Sequence, residues 1–223
     1  AIFQTHRERK RQLIEERDKK ARRLVRKADN GPALPLALAD GQAHHLFLSH
    51  VWSTAQDQVR IIHTRLKDMM PEVSVFLDVE DLEDISNLEG YIERSQTVLI
   101  MCTKGYFQSK NCMRELRYAV HMGKPLIAVL DLDSDIRSLT VNEVHAELLK
   151  ADENYGKWGF RRDGLPTGAA CFSALFVHDA LEWNRIGTFQ DVTMRLIAER
   201  LLPSGYGSTY LMGESIQAPI ELP

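Results

Sequence analysis

The sequence predicts an α/β fold with an open, mostly parallel β-sheet and helices on both faces of the sheet. Short apolar runs alternate along the chain with segments of helical periodicity. The runs are almost continuously apolar, as is typical of strands that are covered on both faces. They are LFLSH at 46–50, VSVFL at 73–77, TVLIMC at 97–102, PLIAVLD at 125–131 and a weaker ALEW at 180–183.

Helices are predicted between these strands because capping residues precede helical apolar patterns. A Ser or Thr that is followed three residues later by an acid or an amide can satisfy the free amides of a first helical turn. Such starts occur at Ser53, Ser86 and Thr188, and Ser109 is a further candidate cap. Three apolar faces are predicted, namely Val59, Ile62, Leu66 and Met69; Met113, Leu116 and Val120; and Val192, Leu196, Leu201 and Leu202.

Four segments are predicted along the chain. Residues 1–30 are expected to form a basic, charged helix, which either connects domains or lies beside a membrane. Residues 31–43 are a Pro/Gly-bounded linker, residues 44–202 form the α/β domain, and residues 203–223 are a tail with turn-forming residues. Within the domain, residues 151–178 carry four glycines without a clear period, which predicts an irregular insertion.

Charge and cysteine content exclude several kinds of partner. The net charge of −3 divides into +6 for residues 1–30 and −9 for the rest, so the main domain is not expected to bind nucleic acid. The basic segment could contact an anionic membrane or a protein. Three scattered cysteines without a CxxC pair argue against disulfides and against a metal site. We therefore expect a cytoplasmic protein, or the cytosolic portion of a membrane-associated one.

Candidate site residues follow from the predicted sheet, because ligands bind beyond the carboxyl ends of parallel strands. Ser49 and Trp52 follow the first strand, and Asp78 follows the second. Glu115 lies in the second turn of the helix after the third strand, where the helix dipole favours an ionised carboxylate. Cys112 is three residues before Glu115, which places both on one helix face.

Several familiar nucleotide and hydrolase motifs are missing from the sequence. The end of the first strand lacks the acidic pair of a phosphoacceptor receiver domain, although the predicted fold class is the same. Neither GxGxxG nor GxxxxGK[ST] occurs, and there is no GxSxG elbow. A phosphate loop and serine-hydrolase chemistry are therefore not expected.

Two stretches resemble the Toll/interleukin-1 receptor (TIR) domain family. HLFLSHVW is similar to the family's first box, and VSVFLDVEDLEDISNLEGYIERSQTVLIMCTKGYFQSKNCMREL resembles the strands and loops that follow it. Trp183 lies about where the family's last box carries Phe-Trp, and it is better explained as a core residue than as a site residue. The resemblance covers roughly residues 44–202 and is most specific between 46 and 131. It implies a flavodoxin-like three-layer fold with a five-stranded parallel sheet.

The resemblance also implies a chemistry. Some TIR domains split NAD+ into nicotinamide and ADP-ribose products with the glutamate of an S-x-x-C-x-x-E motif, which here is Ser109, Cys112 and Glu115. A carboxylate held against the ribose would stabilise positive charge in the transition state. NAD+ would be a substrate, and no cofactor is predicted. Cys112 is expected to pack beside the pocket, because no histidine is evidently paired with it.

The remaining site predictions have structural alternatives. Ser49, Trp52, Asp78 and Cys112 are predicted to line the NAD+ pocket. Ser49 could instead satisfy loop amides, Trp52 could cover the first helix, and Asp78 could form a turn. The family resemblance implies that the acidic loop contacts other TIR domains, and its predicted interaction residues are Asp81, Leu82 and Asp84.

Three functions remain open from the sequence. The leading hypothesis is an intracellular signalling domain that self-associates, as a homo-oligomer with other TIR domains, and cleaves NAD+ through Glu115. The alternatives are a non-catalytic TIR–TIR assembly module and a module that binds NAD+ without cleaving it. One departure affects the nucleotide contacts, because Val51-Trp52 replaces the Arg-Gly pair that plant-type TIR enzymes tend to carry.

Overall fold

A parallel sheet forms the centre of the protein. The computed structural model describes residues 8–9, 11–12, 23–26, 36–77, 87–132, 137–160, 164, 166–184, 186–202 and 210–212. Its strands are β1 (Leu24–Arg26), β2 (His44–Ser49), β3 (Val75–Leu77), β4 (Ser95–Cys102), β5 (Leu126–Asp131), β6 (Leu181–Trp183) and β7 (Tyr210–Met212). Five of these pair in parallel in the order β3-β2-β4-β5-β6, which confirms the predicted sheet.

Helices cover both faces of this sheet in three layers. The helices around the sheet are α1 (Trp52–Met69), α2 (Leu88–Glu93), α3 (Lys110–His121), α4 (Val141–Asn154), α5 (Gly168–Leu175) and α6 (Gly187–Leu201). One apolar core lies between the sheet and α2 to α5, and a second lies between the sheet and α1 with α6. Along β2, Phe47 enters the first core, whereas Leu46 and Leu48 enter the second. The strands are continuously apolar because both faces are covered.

The predicted helix caps were only partly correct. The Ser109 hydroxyl accepts a hydrogen bond from the amide of Cys112 at 3.4 Å and caps α3, as predicted. The capping roles of Ser53 and Thr188 are wrong, since α1 and α6 each begin one residue earlier without a side-chain cap. Ser86 lies outside the described residues.

The buried face of α6 also differs from the prediction. Val192 is 49% exposed, and the residues that α6 buries include Met194, Ile197 and Ala198. For α1 the predicted face is confirmed, because its four apolar residues are all buried. Of the other predicted residues, Leu202 is buried in the second core, and Leu196 and Leu201 are partly buried against it, so the prediction is wrong only at Val192.

Two short segments, residues 24–26 and 210–212, differ from the secondary structure that the sequence predicts. Residues 24–26 were expected in a helix and residues 210–212 in a tail, but they form β1 and β7, which pair antiparallel. Leu24 is buried in the second core, and this tertiary contact outweighs the weak helix preference of the charged sequence around it. Residues 8–9 and 11–12 are helical, and apart from these and residues 23–26 the predicted N-terminal helix lies outside the described residues.

The prediction of an irregular segment at 151–178 is wrong in two places. Helix α4 continues to Asn154, and residues 168–175 form α5. A side chain at Gly168 would meet the carbonyl of Leu148 at 2.1 Å, so the glycine permits the two helices to approach closely. This glycine therefore marks a helix contact and not a loop. Thr140 and Glu143 form a capping box at the start of α4, a signal that the sequence contains.

No helix in the described ranges is both long enough and apolar enough to cross a bilayer. The predicted domain boundaries and the predicted cytoplasmic location stay predictions.

Candidate functional site

Strand β2 and helix α3 bring Ser49 and Glu115 together at the carboxyl end of the sheet. Ser49 is the last residue of β2 and lies two residues after Phe47, so both side chains point to the sheet face that α3 covers. Helix α3 packs on that face through Met113 and Leu116, which places Glu115 over the strand end. Residues that are 66 positions apart in sequence are thus in direct contact.

A chain of hydrogen bonds holds the carboxyl group of Glu115. The Ser49 hydroxyl donates to Oε2 of Glu115, and the hydroxyl of Tyr106 lies 2.5 Å from Oγ of Ser49. Since Ser49 has one proton and gives it to the carboxylate, the proton between Ser49 and Tyr106 comes from Tyr106, whose hydroxyl also contacts the carbonyl of Cys112 at 3.3 Å. The order of donation is therefore Tyr106 to Ser49 to Glu115, with the carboxylate as the final acceptor.

Tyr106 is suited to remain the donor in this chain. Burial raises the pKa of its phenol well above the usual value, and the nearby Cys112 and Glu115 raise it further. The phenol consequently stays protonated throughout the physiological range. Tyr106 was not predicted as a site residue, because only the tertiary structure places the turn of residues 106–108 beneath Ser49.

The candidate site is largely shielded from water. Glu115 is 4% exposed and Ser49 is 1% exposed. Removal of water strengthens the electrostatic interactions of a carboxylate, and the hydroxyl donors replace part of its lost hydration. A further hydrogen bond of 2.9 Å joins Thr54 of α1 to Thr103 after β4, which fixes the neighbouring loop ends to each other.

Cys112 takes the packing position that the sequence suggested. Its side chain is 4% exposed, and the thiol donates to the carbonyl of His50 at 3.4 Å. This contact ties α3 to the backbone that follows β2. Cys112 therefore helps to place Glu115 beside Ser49, and its thiol hydrogen bonds to a backbone carbonyl.

The two tryptophans named by the sequence analysis have different surroundings. Trp52 begins α1 beside the end of β2 and exposes 55% of its surface. Trp183 is fully buried, and its indole N–H donates to Oε1 of Gln58 at 2.8 Å, so it is a core residue. Trp52 consequently offers an exposed ring at the same edge of the sheet as Glu115.

Four candidate residues cannot be placed. Asp78, Asp81, Leu82 and Asp84 lie outside the described residues, and their predicted roles stay predictions. Among the residues that are described, no group of three or more His, Cys, Asp or Glu side chains is arranged to hold a metal ion.

The comparison with known families agrees with this geometry. A family model described as TIR domain matches residues 46–157, which is half of the chain and runs from β2 through α4 to the turn behind it. The chain belongs to the TIR domain family. No curated protein gives a significant match to it.

The matched range contains the whole hydrogen-bonded group described above. Ser49, Tyr106, Cys112 and Glu115 all lie inside it, whereas α5, β6 and α6 lie beyond it. TIR domains are signalling and adaptor modules that interact with other TIR domains. As a member of the family, this chain is a module of that kind.

Proposed function

We propose that this TIR domain cleaves NAD+ into nicotinamide and ADP-ribose products, with Glu115 as the catalytic carboxylate. The main support is the position of Glu115 within the S-x-x-C-x-x-E motif, where its carboxyl group accepts a hydrogen bond from Ser49 at the carboxyl end of β2. Ligands of open parallel sheets bind at that edge.

A single carboxylate suffices for the proposed reaction. The bond between the ribose C1′ and the nicotinamide nitrogen breaks, and its electron pair leaves with nicotinamide, which becomes neutral. Positive charge then develops on the ribose, and the negative Glu115 stabilises it. Water adds to the ribose and gives ADP-ribose, with release of one proton.

Ser49 and Tyr106 would act as positioning residues. Because Ser49 donates to one carboxylate oxygen, the carboxyl plane of Glu115 is held before substrate arrives. Tyr106 in turn orients Ser49. The ring of Trp52, which is 55% exposed, is proposed to stack on a base or on the nicotinamide, and Asp78 is proposed as a further contact.

The burial of Glu115 supports a dependence on assembly. With 4% of its surface exposed, this carboxylate meets substrate only if the site opens. We propose that association with other copies of the domain favours the open form. Turnover per domain should therefore rise with protein concentration, and the isolated domain should be slow.

A second candidate is a non-catalytic assembly module. It is favoured by an exposed apolar face at the start of α6, where Ile186, Phe189 and Val192 are spaced three residues apart and are 58%, 56% and 49% exposed. Contiguous exposed apolar residues often mark contact surfaces. In the third candidate, the Glu115 site binds NAD+ without cleaving it.

The first experiment is to measure NAD+ consumption by the chain on a scaffold that forces assembly. We expect Glu115→Ala and Glu115→Gln to lower turnover by about 100-fold or more, because each removes the charge that stabilises the transition state. The matched control is Glu153→Gln, which changes an exposed helical carboxylate and should leave turnover unaltered.

The outcomes separate the three candidates. Nicotinamide release by wild type that both Glu115 variants lose supports catalysis. Self-association of a wild type that neither consumes nor binds NAD+ supports the assembly module. Saturable binding of NAD+ without products supports the sensing module.

A further inference from the structure

A second concave site lies on the outer side of α3. It is a cleft of ≈ 380 Å³ between α3, the start of α2 and the turn that follows α4. This volume is at the lower end of the range of small-molecule sites. The residues that matter to its chemistry are Glu89, Lys110, Arg114, Arg117, Trp158 and Phe160.

Arg117 is a buried cation at the base of this cleft. It is 3% exposed, and its Nε donates to the carbonyl of Pro166 at 3.0 Å. Its guanidinium carbon lies 3.8 Å from the ring centre of Tyr155 and 4.9 Å from that of Phe160. The two rings stabilise the charge by cation–π contacts and hold the guanidinium plane in place.

The charge of Arg117 has no carboxylate partner among the described residues. One of its five N–H donors is used by Pro166, and the terminal nitrogens form no hydrogen bond to another described residue. Arg117 lines the cleft, so its remaining N–H donors belong to the wall of that site. A buried cation is costly without an anion, and a ligand anion would satisfy it.

The neighbouring charges leave the cleft positive. Arg114 and Glu89 form a two-pronged ion pair and neutralise each other. Lys110 is exposed at the rim and forms no ion pair in the described part of the chain. Two positive charges, Lys110 and Arg117, therefore remain for an incoming anion, and they match the charge of a phosphate monoester.

An aromatic wall completes the site. Trp158 and Phe160 meet edge to face, with ring centres 5.6 Å apart, and both side chains are partly exposed. A ring face of this kind stacks well on a flat heterocycle. The cleft thus combines cationic donors with an aromatic surface within a volume suited to one small molecule.

We propose that this cleft binds a small phosphate monoester that carries a flat ring, of the size of a nucleoside monophosphate. Lys110 binds the phosphate group at the rim, and Trp158 stacks on the ring. Arg117 is 3% exposed, so it donates to the phosphate only when the aromatic wall of the cleft shifts to admit the ligand. Arg117 is two residues after Glu115, or about 200° around α3, so the cleft opens on the other side of the helix from the candidate catalytic carboxylate. The proposal is therefore independent of NAD+ cleavage.

The test is a calorimetric titration of the full chain with adenosine 5′-monophosphate at low salt. We expect a dissociation constant between about 10 µM and 1 mM, as is usual for ligands of this size. Lys110→Ala and Arg117→Lys should each weaken binding by about tenfold, because the first removes a charge and the second removes the guanidinium fork. Trp158→Phe should weaken it less.

Matched variants and probes make the result decisive. Lys67→Ala removes an exposed lysine of α1 and should not alter binding, and Glu115→Gln should also bind normally. Because Lys110 is exposed, its variant is informative even if a change at Arg117 impairs folding. Adenosine and inorganic phosphate should each bind at least about tenfold more weakly than the nucleotide, since each lacks one half of the recognition.

Three results would overturn the proposal. The first is the absence of binding at millimolar nucleotide, and the second is binding that Lys110→Ala and Arg117→Lys leave unchanged. The third is equal binding of phosphate alone, which would show an anion site without ring recognition. Loss of binding in Glu115→Gln would place the nucleotide at the other site and would also contradict the proposal.

Discussion

Helix α3 carries two buried charges of opposite sign, and their surroundings differ. Glu115 is 4% exposed and Arg117 is 3% exposed, although only one residue separates them. Glu115 faces the end of β2 and receives a hydroxyl hydrogen bond that Tyr106 supports. Arg117 faces the cleft, where two aromatic rings and one backbone carbonyl surround it.

The difference shows two ways of tolerating a buried charge. The hydrogen-bonded side chains at this site, Ser49, Tyr106 and Glu115, come from three separate elements. Loss of the Glu115 carboxylate should therefore disturb the whole end of β2. Some N–H donors of the Arg117 guanidinium have no acceptor among the described residues. The desolvation cost of this buried charge is therefore only partly offset within the folded protein. Stability should therefore depend more on Glu115, and ligand binding more on Arg117.

The largest expected effect is alkaline destabilisation of the core between the sheet and α2 to α5, which contains residues near both buried charges. Burial raises the pKa of Cys102 and that of Cys171 to about 12, and it raises the pKa of Tyr106 well above 10.0. The unfolded chain releases these protons near the ordinary values of 9.0 and 10.0, whereas the folded chain retains them. The stabilisation is thus complete below about pH 9 and is lost as the pH rises toward 12.

Urea unfolding at a series of pH values measures this loss. The free energy of unfolding should fall by roughly 5 kcal/mol between about pH 9 and pH 11. Cys171→Ala should make the free energy of unfolding fall less steeply with pH, because one fewer group then has a pKa that differs between the folded and unfolded chain. In Arg117→Met the slope should steepen, since the Arg117 charge lowers the pKa of Cys171 against the effect of burial. A free energy of unfolding that stays constant between about pH 9 and pH 11 would contradict the raised pKa values of these buried groups.

Next in size is the replacement of the Glu115 carboxyl group by an apolar side chain. Glu115→Leu removes the charged acceptor of the Ser49 hydroxyl and leaves Ser49 only the weaker oxygen of Tyr106 to donate to, at a cost of about 1–3 kcal/mol. Glu115→Gln should cost about 1 kcal/mol, because its amide oxygen still accepts from Ser49. Urea unfolding at pH 7 compares the two, and an equal cost would show that the hydrogen-bond chain does not stabilise the fold.

The smallest effect is expected on the other side of α3. Arg117→Met keeps an unbranched side chain and removes a buried cation without a carboxylate partner among the described residues, so the free energy of unfolding should change by less than about 1 kcal/mol. The lost hydrogen bond to Pro166 and the lost ring contacts oppose the relieved desolvation. Unfolding curves recorded beside those of Glu115→Leu give the comparison directly. A cost larger than that of Glu115→Leu would reverse the conclusion.

The regular elements differ in how well the sequence predicted them. All five sheet strands were predicted to within two residues at each end, because continuous apolar runs suit a sheet that is covered on both faces. The predicted face of α6 was wrong at Val192, which is exposed, whereas Leu196, Leu201 and Leu202 pack against the second core. Helix α5 was missed because its glycine serves a close helix contact that has no periodic signal.

The candidate site was predicted in part. The motif and the rule for parallel sheets selected Ser49, Cys112 and Glu115, and the structure places all three at one strand end. Tyr106 and Arg117 were not selected. Each acts through a contact with a distant segment, and neither contact has a fixed spacing in sequence.

The sequence by itself determined the parallel α/β fold, the family and the carboxylate to test, because these depend on local patterns of apolar and polar residues. The tertiary structure alone decided that Leu24 belongs to a strand, that Tyr106 supports Ser49, and that Arg117 lies under aromatic rings. Such contacts arise when distant segments pack together. They depend on the distances and burial that packing creates, which residue order does not encode locally.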